Sequence, residues 1–334
     1  MKLSDFDYTL PKDLIAQYPL QRREDARLLV VDRTSGSVIH DVFRNVARYL
    51  PHHSLIVVNN SKVIPARLLG RKPRTGGRVE VFLLREIDAL HFEAMLRPLK
   101  KIREGETLEF PGGVSCTLVD REKRIVRFAG REVLRTLGKV GHIPLPPYIK
   151  RPDEELDREY YQTVYAKAPG SVASPTAGLH FTKPLITSLR KAGHEFAPVT
   201  LHVNYGTFKP VETENILDHP MHEEHYTITP AVAAKVKSAK KAGWKVVAVG
   251  TTSCRTLEAF ARTGELTDVT RLFLYPGCDF MVVDVLITNF HLPRSTLLML
   301  VSAFGGLKFI RKAYAEAIRE RYRFYSYGDA MIIV

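Results

Sequence analysis

The chain has little cysteine: Cys116, Cys254 and Cys278 lie far apart in 334 residues. An odd number with no CxxC pair excludes a disulfide scaffold and a cysteine zinc site, and fits a reducing compartment. Long apolar runs are also absent. The longest, Leu297 to Phe304, falls far short of the roughly 20 residues that a membrane-spanning helix needs. Asp5 and Asp7 stand where a secretion signal requires uninterrupted apolar residues, so no such signal is expected and the expected location is the cytoplasm. Glutamine (three) and asparagine (six) are scarce beside abundant Lys, Arg and Glu, a tilt toward a heat-adapted source. No internal repeat or low-complexity tract is present. What the chain does have is 45% hydrophobic and 25% charged residues, enough to exclude disorder as its overall state and to build two ordinary domains.

Positive charge is in excess, 49 Lys and Arg against 36 Asp and Glu, a net +13 that points weakly to a polyanionic partner. Its distribution says more. Between Pro65 and Lys150 there are 18 basic and 10 acidic side chains, so about a quarter of the chain carries +8 of the +13. The same stretch reads as short strands from Arg78, His91, Thr107, Val114 and Arg124, with turns at Gly76-Gly77 and Pro111-Gly112-Gly113 and a helix over Arg131 to Leu137. On both sides strands alternate with helices. RLLVVD from Arg27, a helical pattern from Val42 to Leu50 and LIVVN from Leu55 come first. Later, helices capped by Thr182 and Thr229 end at Gly193 and Gly243, WKVVAV leads into a helix from about Ser253, a long helix covers Leu307 to Tyr322, and MIIV ends as a strand. The expected fold is α/β. A main domain from both ends of the chain (1–64 and 151–334) carries an inserted basic β-rich domain (65–150), joined through Pro-rich flanks at Pro65 and Gly141.

Six segments carry chemistry. SPTAGLHF (Ser174 to Phe181) sets His180 ahead of a helix start, where amides hold anions and a histidine exchanges protons, or where it is a satisfied hydrogen bonder. TLHVNYGTF (Thr200 to Phe208) puts His202 and Asn204 on one face of a strand, with a core histidine as the plainer reading. HPMHEEHY (His219 to Tyr226) invites a zinc reading, but neither HExxH nor HxxEH is met and Pro220 discourages a helix, so no metal is expected. VAVGTTSCRTLEAF delivers Thr251, Thr252 and Ser253 to a helix start with Arg255 in its first turn, a geometry for a carboxylate or phosphate; it is neither GxGxxG nor a P-loop. Finally, DVLITNFHLPRS places Thr288, Asn289 and His291 at the carboxyl end of a strand, and YGDAM places Asp329 just before the last one.

Together with FDYTLPKDLIAQYP, VIPARLLG, TGGRVEVFLL, AMLRPLKK, GHIPLPPYI and YQTVYA, these segments resemble the S-adenosylmethionine:tRNA ribosyltransferase-isomerases of queuosine biosynthesis, the QueA family, over essentially the whole chain. Three places depart from the family pattern: Asn59-Asn60-Ser61-Lys62 for Asn-Asp-Thr-Arg, Ser174 for alanine, and Asn204-Tyr205 before Gly206, where glycine is usual at the first position. The resemblance implies an α/β domain carrying a β-barrel. It also implies an enzyme that transfers and isomerises the ribosyl group of S-adenosylmethionine, its co-substrate, onto 7-aminomethyl-7-deazaguanine at the tRNA wobble position. The products are epoxyqueuosine-tRNA, adenine and methionine.

Such a reaction requires a base for the ribose C5′ hydrogen, stabilisation of departing adenine and a deprotonated acceptor amine. His180, His202 and His291 are the candidates for these proton transfers. The methionine carboxylate is expected at Thr251, Thr252 and Ser253 with Arg255 nearby, Asn289 among the substrate-binding residues, and Asp329 at the amine or guanine-like edge of the acceptor. Arg67, Arg71, Lys72, Arg74, Lys100, Lys101 and Arg103 are expected to hold tRNA phosphates. A monomer without a metal is expected. An RNA-binding module and an S-adenosylmethionine-dependent methyltransferase are the alternatives. The first is disfavoured by the histidines and glycine turns outside the basic region, the second by the lack of an early glycine-rich loop.

Overall fold

The computed structural model describes residues 1–130, 132–203 and 211–334; Arg131 and the Asn204, Tyr205 and Gly206 singled out above lie outside the described residues. In chain order the first strands are β1 (Arg27–Asp32), β2 (Ser37–Val42), β3 (Ser54–Asn59), β4 (Ser61–Val63) and β5 (Arg67–Arg71). Next come β6 (Arg78–Glu86), β7 (His91–Arg97), β8 (Thr107–Phe110), β9 (Val114–Asp120), β10 (Ile125–Phe128) and β11 (Ala168–Ser171). The last are β12 (Glu195–Leu201), β13 (Glu224–Thr227), β14 (Lys245–Val249), β15 (Thr267–Thr270), β16 (Val285–Asn289) and β17 (Ala330–Ile333). The helices are α1 (Val133–Val140), α2 (Glu155–Tyr160), α3 (Lys183–Lys191), α4 (Pro230–Lys241), α5 (Gly250–Thr263), α6 (Thr296–Gly305) and α7 (Leu307–Arg319).

The larger assembly is a nine-stranded sheet in the order β15-β13-β12-β3-β14-β16-β17-β1-β2. Its centre, β12, β3, β14 and β16, is parallel. Both faces are covered at β3, β14 and β16, which is why these strands read as continuous apolar runs rather than alternating ones. Every residue of β3 and β16 is buried. On one face lie α4, α5, α6 and α7, contributing Val232, Leu257, Val301 and Ala313 to a common core. Against the other pack α3, through Leu185 and Leu189, and the 3-10 turn Phe43–Tyr49. That turn stands where the apolar pattern suggested an α-helix. Phe43 and Val46, three residues apart, are both fully buried, and that spacing falls on one side of a 3-10 helix.

Six strands, β10-β7-β6-β5-β8-β9, close a barrel. Its walls alternate: on β7 Phe92, Ala94 and Leu96 point inward between more exposed neighbours. Val133 and Leu137 of α1 join the same core. β5, inside PARLLG, was not foreseen from the sequence, where Pro65 suggested a junction instead.

The chain leaving the barrel is tied to the sheet by one buried carboxylate. Asp157, fully buried, accepts two hydrogen bonds from Arg151 (2.7 and 2.8 Å), one from the Tyr327 hydroxyl (2.6 Å) and one from the Glu154 N–H (2.8 Å). Burial pushes its pKa up, yet these donors outweigh burial and hold it below the ordinary range. Removing the carboxylate strands the nearly buried Arg151 guanidinium, so Asp157→Ala is expected to cost about 3–5 kcal/mol. A urea unfolding curve checks this; an unchanged midpoint contradicts it.

Candidate active site

Parallel strands all end on one edge, and here the sequence places its polar residues directly after those ends. His202 follows β12, Asn60 follows β3, Gly250 follows β14, and Asn289 closes β16. β17 runs antiparallel to β16, so its first residue, Ala330, pairs with Asn289 and brings Asp329 to the same edge. Open α/β sheets bind ligands at this edge. Gly250 makes the passage from β14 into α5 with φ of +86°, where a side chain would be strained. α5 thus starts earlier than expected, and Thr251, Thr252 and Ser253 form its first turn. α3, α4 and α6 are capped by the side chains of Thr182, Thr229 and Ser295, whereas α5 has no side-chain cap.

An open cleft of about 590 Å³ lies at this helix start, walled by Ser174–Ala177, Gly250–Thr252 and Thr288–Leu292. Ser174 Oγ and Thr252 Oγ1, both in its lining, are buried with no hydrogen-bond partner among the described residues. Orphaned hydroxyls beside an uncapped helix start are what an anionic group would satisfy. An aromatic side is supplied by Tyr148 and Tyr325, whose ring centroids are 4.7 Å apart.

His291 faces the cleft, 8% exposed. Its backbone is braced on both sides, by the Tyr8 hydroxyl donating to its carbonyl and by its own N–H donating to Tyr314 Oη (2.9 Å). Nε2 bonds the Thr288 hydroxyl at 2.7 Å; Nδ1 makes no hydrogen bond among the described residues. Burial pushes its pKa down to about 3. The imidazole is neutral at pH 7.

His180 lies behind the cleft rather than in it. Asn289 lines the cleft, and its amide orientation follows from its partners: Oδ1 accepts from the Thr176 hydroxyl (2.8 Å), so Nδ2 faces His180 Nε2 (3.3 Å). His180 also bonds the Arg23 backbone. Burial, reinforced by the charges of Arg323 and Arg23, still pulls its pKa down to about 4. His202 stands beside the cleft, next to the lining residue Val203. Its Nδ1 is buried without a partner among the described residues, and burial with the neighbouring His225 lowers its pKa. Gly170, at φ of +124°, makes room for this ring: a Cβ there would sit 3.3 Å from it.

Other expected residues are placed elsewhere. The Arg255 guanidinium turns away from the cleft to a buried ion pair with Glu224, and its Nε–H donates to the Leu272 carbonyl (3.1 Å). HPMHEEHY therefore supplies a counter-charge for α5 through Glu224. Ser253 is fully buried outside the cleft lining. The Asp329 carboxylate accepts from the N–H groups of Arg27 (2.9 Å) and Arg323 (2.8 Å), which tie β1 to the chain before β17, so it does not face the cleft. In the barrel, Lys72 is bound to Glu106 and the Lys101 carbonyl, Arg67 pairs with Glu80 at 3.0 Å, and Arg71 lies 3.9 Å from Glu109. Arg74, Lys100, Lys101 and Arg103 are exposed. Tyr8, Tyr148, Tyr314 and Tyr325 were missed. No local pattern marks them, because their roles arise from contacts distant in sequence.

The chain matches the queuosine biosynthesis protein family over residues 3–333. Among its relatives, the S-adenosylmethionine:tRNA ribosyltransferase-isomerases of Sulfurihydrogenibium sp. (strain YO3AOP1) and Carboxydothermus hydrogenoformans are 50% and 51% identical, each aligned over 100% of both chains. The crystal structure of S-adenosylmethionine tRNA ribosyltransferase from Thermotoga maritima is similar with a TM-score of 0.58 and 37% identity, covering 99% of this chain and 100% of that one. The chain therefore belongs to the queuosine biosynthesis protein family.

Proposed function

We propose that the chain is an S-adenosylmethionine:tRNA ribosyltransferase-isomerase. It transfers and isomerises the ribosyl group of S-adenosylmethionine onto 7-aminomethyl-7-deazaguanine at the tRNA wobble position, releasing adenine and methionine. The observation that carries this reading is the alignment of relatives bearing that name over their full length at about half identity. The cleft at the carboxyl edge is chemically suited to the co-substrate. Its orphaned hydroxyls and uncapped helix favour the methionine carboxylate, with Thr251, Thr252 and Ser174 as its contacts, and the Tyr148 and Tyr325 rings favour a sulfonium or a purine.

His291 is then the group that takes the ribose C5′ proton, on the open Nδ1. A histidine with a depressed pKa is a weak base, but it is already neutral at working pH. The charge it gains also replaces the sulfonium charge that the same step neutralises, so no net charge is created in a buried site. His202, half-buried at the rim, serves the acceptor amine. His180, behind the cleft, fixes the orientation of the Asn289 side chain in its wall. Residues 65–150 form the inserted domain, and its exposed Arg74, Lys100, Lys101 and Arg103 meet tRNA phosphates.

Incubation with S-adenosylmethionine and tRNA bearing 7-aminomethyl-7-deazaguanine is expected to release adenine and add the ribosyl-derived mass to the nucleoside. S-adenosylhomocysteine instead would mean methylation, and tRNA binding without either product would mean a binding module. His291→Ala is expected to abolish adenine release while calorimetry shows S-adenosylmethionine still bound; turnover within a few-fold of the unaltered protein removes His291 from the chemistry. Ser174→Ala and Thr252→Val should each weaken S-adenosylmethionine binding about tenfold, the scale of one hydrogen bond to a charged group. Unchanged dissociation constants contradict the carboxylate placement.

The buried histidines also set an acid limit. In the folded chain His180 and His291 stay neutral down to about 4 and 3, whereas unfolded they protonate near the ordinary 6.5. The unfolded state therefore binds more protons between those values, and stability present above pH 6.5 is lost as pH falls toward 4. For His180 the loss is about 3 kcal/mol over that window. Urea midpoints measured from pH 7 to pH 4.5 should fall, and less steeply for His180→Gln; equal slopes would contradict this assignment.

A further inference from the structure

A second cleft, about 780 Å³, opens where the barrel meets the chain returning to the sheet. It shares a wall with the reaction cleft. Along one stretch, Pro146, Pro147 and Ile149 line the second cleft while Tyr148 lines the first; along another, Val172 lines the second while Ala173 and Ser174 line the first. The two spaces are separated by the thickness of a single chain segment.

The walls of the second cleft combine apolar surfaces with arginine. Pro146 and Pro147 provide rigid ring surfaces, Met95 and Ile149 add apolar contact, and Arg67, Arg97 and Arg151 provide charge against Glu80 and Asp153. Most of that charge is spent internally. Glu80 is held by Arg67 at 3.0 Å, Asp153 by His142 and the Ile143 N–H, both at 2.9 Å, and Arg151 by Asp157. Arg97, exposed at the end of β7, makes no ion pair among the described residues. A space for a planar apolar group, edged by an uncommitted guanidinium, matches one nucleotide: base or ribose on the prolines, phosphate on the arginine.

We infer that this cleft holds the nucleotide flanking the wobble position, with Arg97 on its phosphate. The inference rests on the proposed function, because a wobble base inserted into the reaction cleft leaves its neighbour one nucleotide step away, across the shared wall. It accounts for AMLRPLKK and GHIPLPPYI, two segments that the chemistry of the reaction cleft leaves largely unused.

The test combines protein and RNA changes, using the full chain and tRNA carrying 7-aminomethyl-7-deazaguanine. Arg97→Ala should raise the tRNA dissociation constant about tenfold or more and lower the slope of log K against log salt by about one. Its S-adenosylmethionine affinity and melting temperature should not change. A single methylphosphonate, which removes the charge of one phosphate, placed on either side of the wobble nucleotide, identifies the contact. At the contacted phosphate it should weaken the unaltered protein comparably and Arg97→Ala hardly further. Full tRNA affinity in folded Arg97→Ala, no loss from either methylphosphonate, or strictly additive losses overturns the inference. Adenine release by the unaltered protein is read separately: its absence removes the proposed function, while its presence with uncoupled losses removes only this cleft.

Discussion

In a parallel sheet every strand ends on the same edge, and this constraint gives the molecule its site. β12, β3, β14 and β16 are hydrogen-bonded side by side and run parallel, so the places where the chain emerges from them are brought together however far apart they lie in sequence. His202, Gly250 and Asn289 become neighbours for this reason alone. β17, inserted antiparallel next to β16, adds the chain around Asp329 to the same edge, where its carboxylate fastens β1 instead of facing a ligand. The uncapped start of α5 then concentrates unsatisfied N–H groups at the centre of that edge.

Around this edge some polar groups are left open and others are already committed to partners. His291 presents one free ring nitrogen while Thr288, Tyr8 and Tyr314 hold its ring and backbone. Asn289 is oriented by Thr176 in front and His180 behind. Arg255, for all its closeness to the start of α5, neutralises Glu224 inside the protein. Charge near a site is therefore a poor guide to its use: a buried cation with a buried partner is already committed.

Much of the architecture was legible because it is written locally. The apolar runs of β1, β3, β14 and β17, the caps Thr182 and Thr229 and the alternation in the barrel strands each state their own structure. The polar segments at strand ends were legible for the same reason, and they include Thr251, Thr252, Asn289 and His291 of the cleft. What escaped depends on partners remote in sequence. Tyr8 reaches His291 across the length of the chain, Glu224 finds Arg255, and Asp329 finds the backbone of Arg27. β5 was hidden by the proline ahead of it. The helix over Val42–Leu50 became a 3-10 turn because two buried residues three apart satisfy either geometry.

A competing site exists on the far side of the His291 loop. There the N-terminal residues and α6–α7 enclose a cleft of about 830 Å³, lined by Phe6, Tyr8, Leu298, Ile310 and Tyr314. It is larger than the cleft at the carboxyl edge, so volume alone would choose it. The edge cleft is set apart instead by its orphaned hydroxyls, Ser174 Oγ and Thr252 Oγ1. Photolabelling with an S-adenosylmethionine analogue bearing an azide on its adenine, followed by peptide mapping, decides between them. Labels competed by S-adenosylmethionine are predicted in the peptides holding residues 173–177, 250–252 and 288–292. Labels confined to residues 5–9 and 298–318 would contradict the assignment of the site.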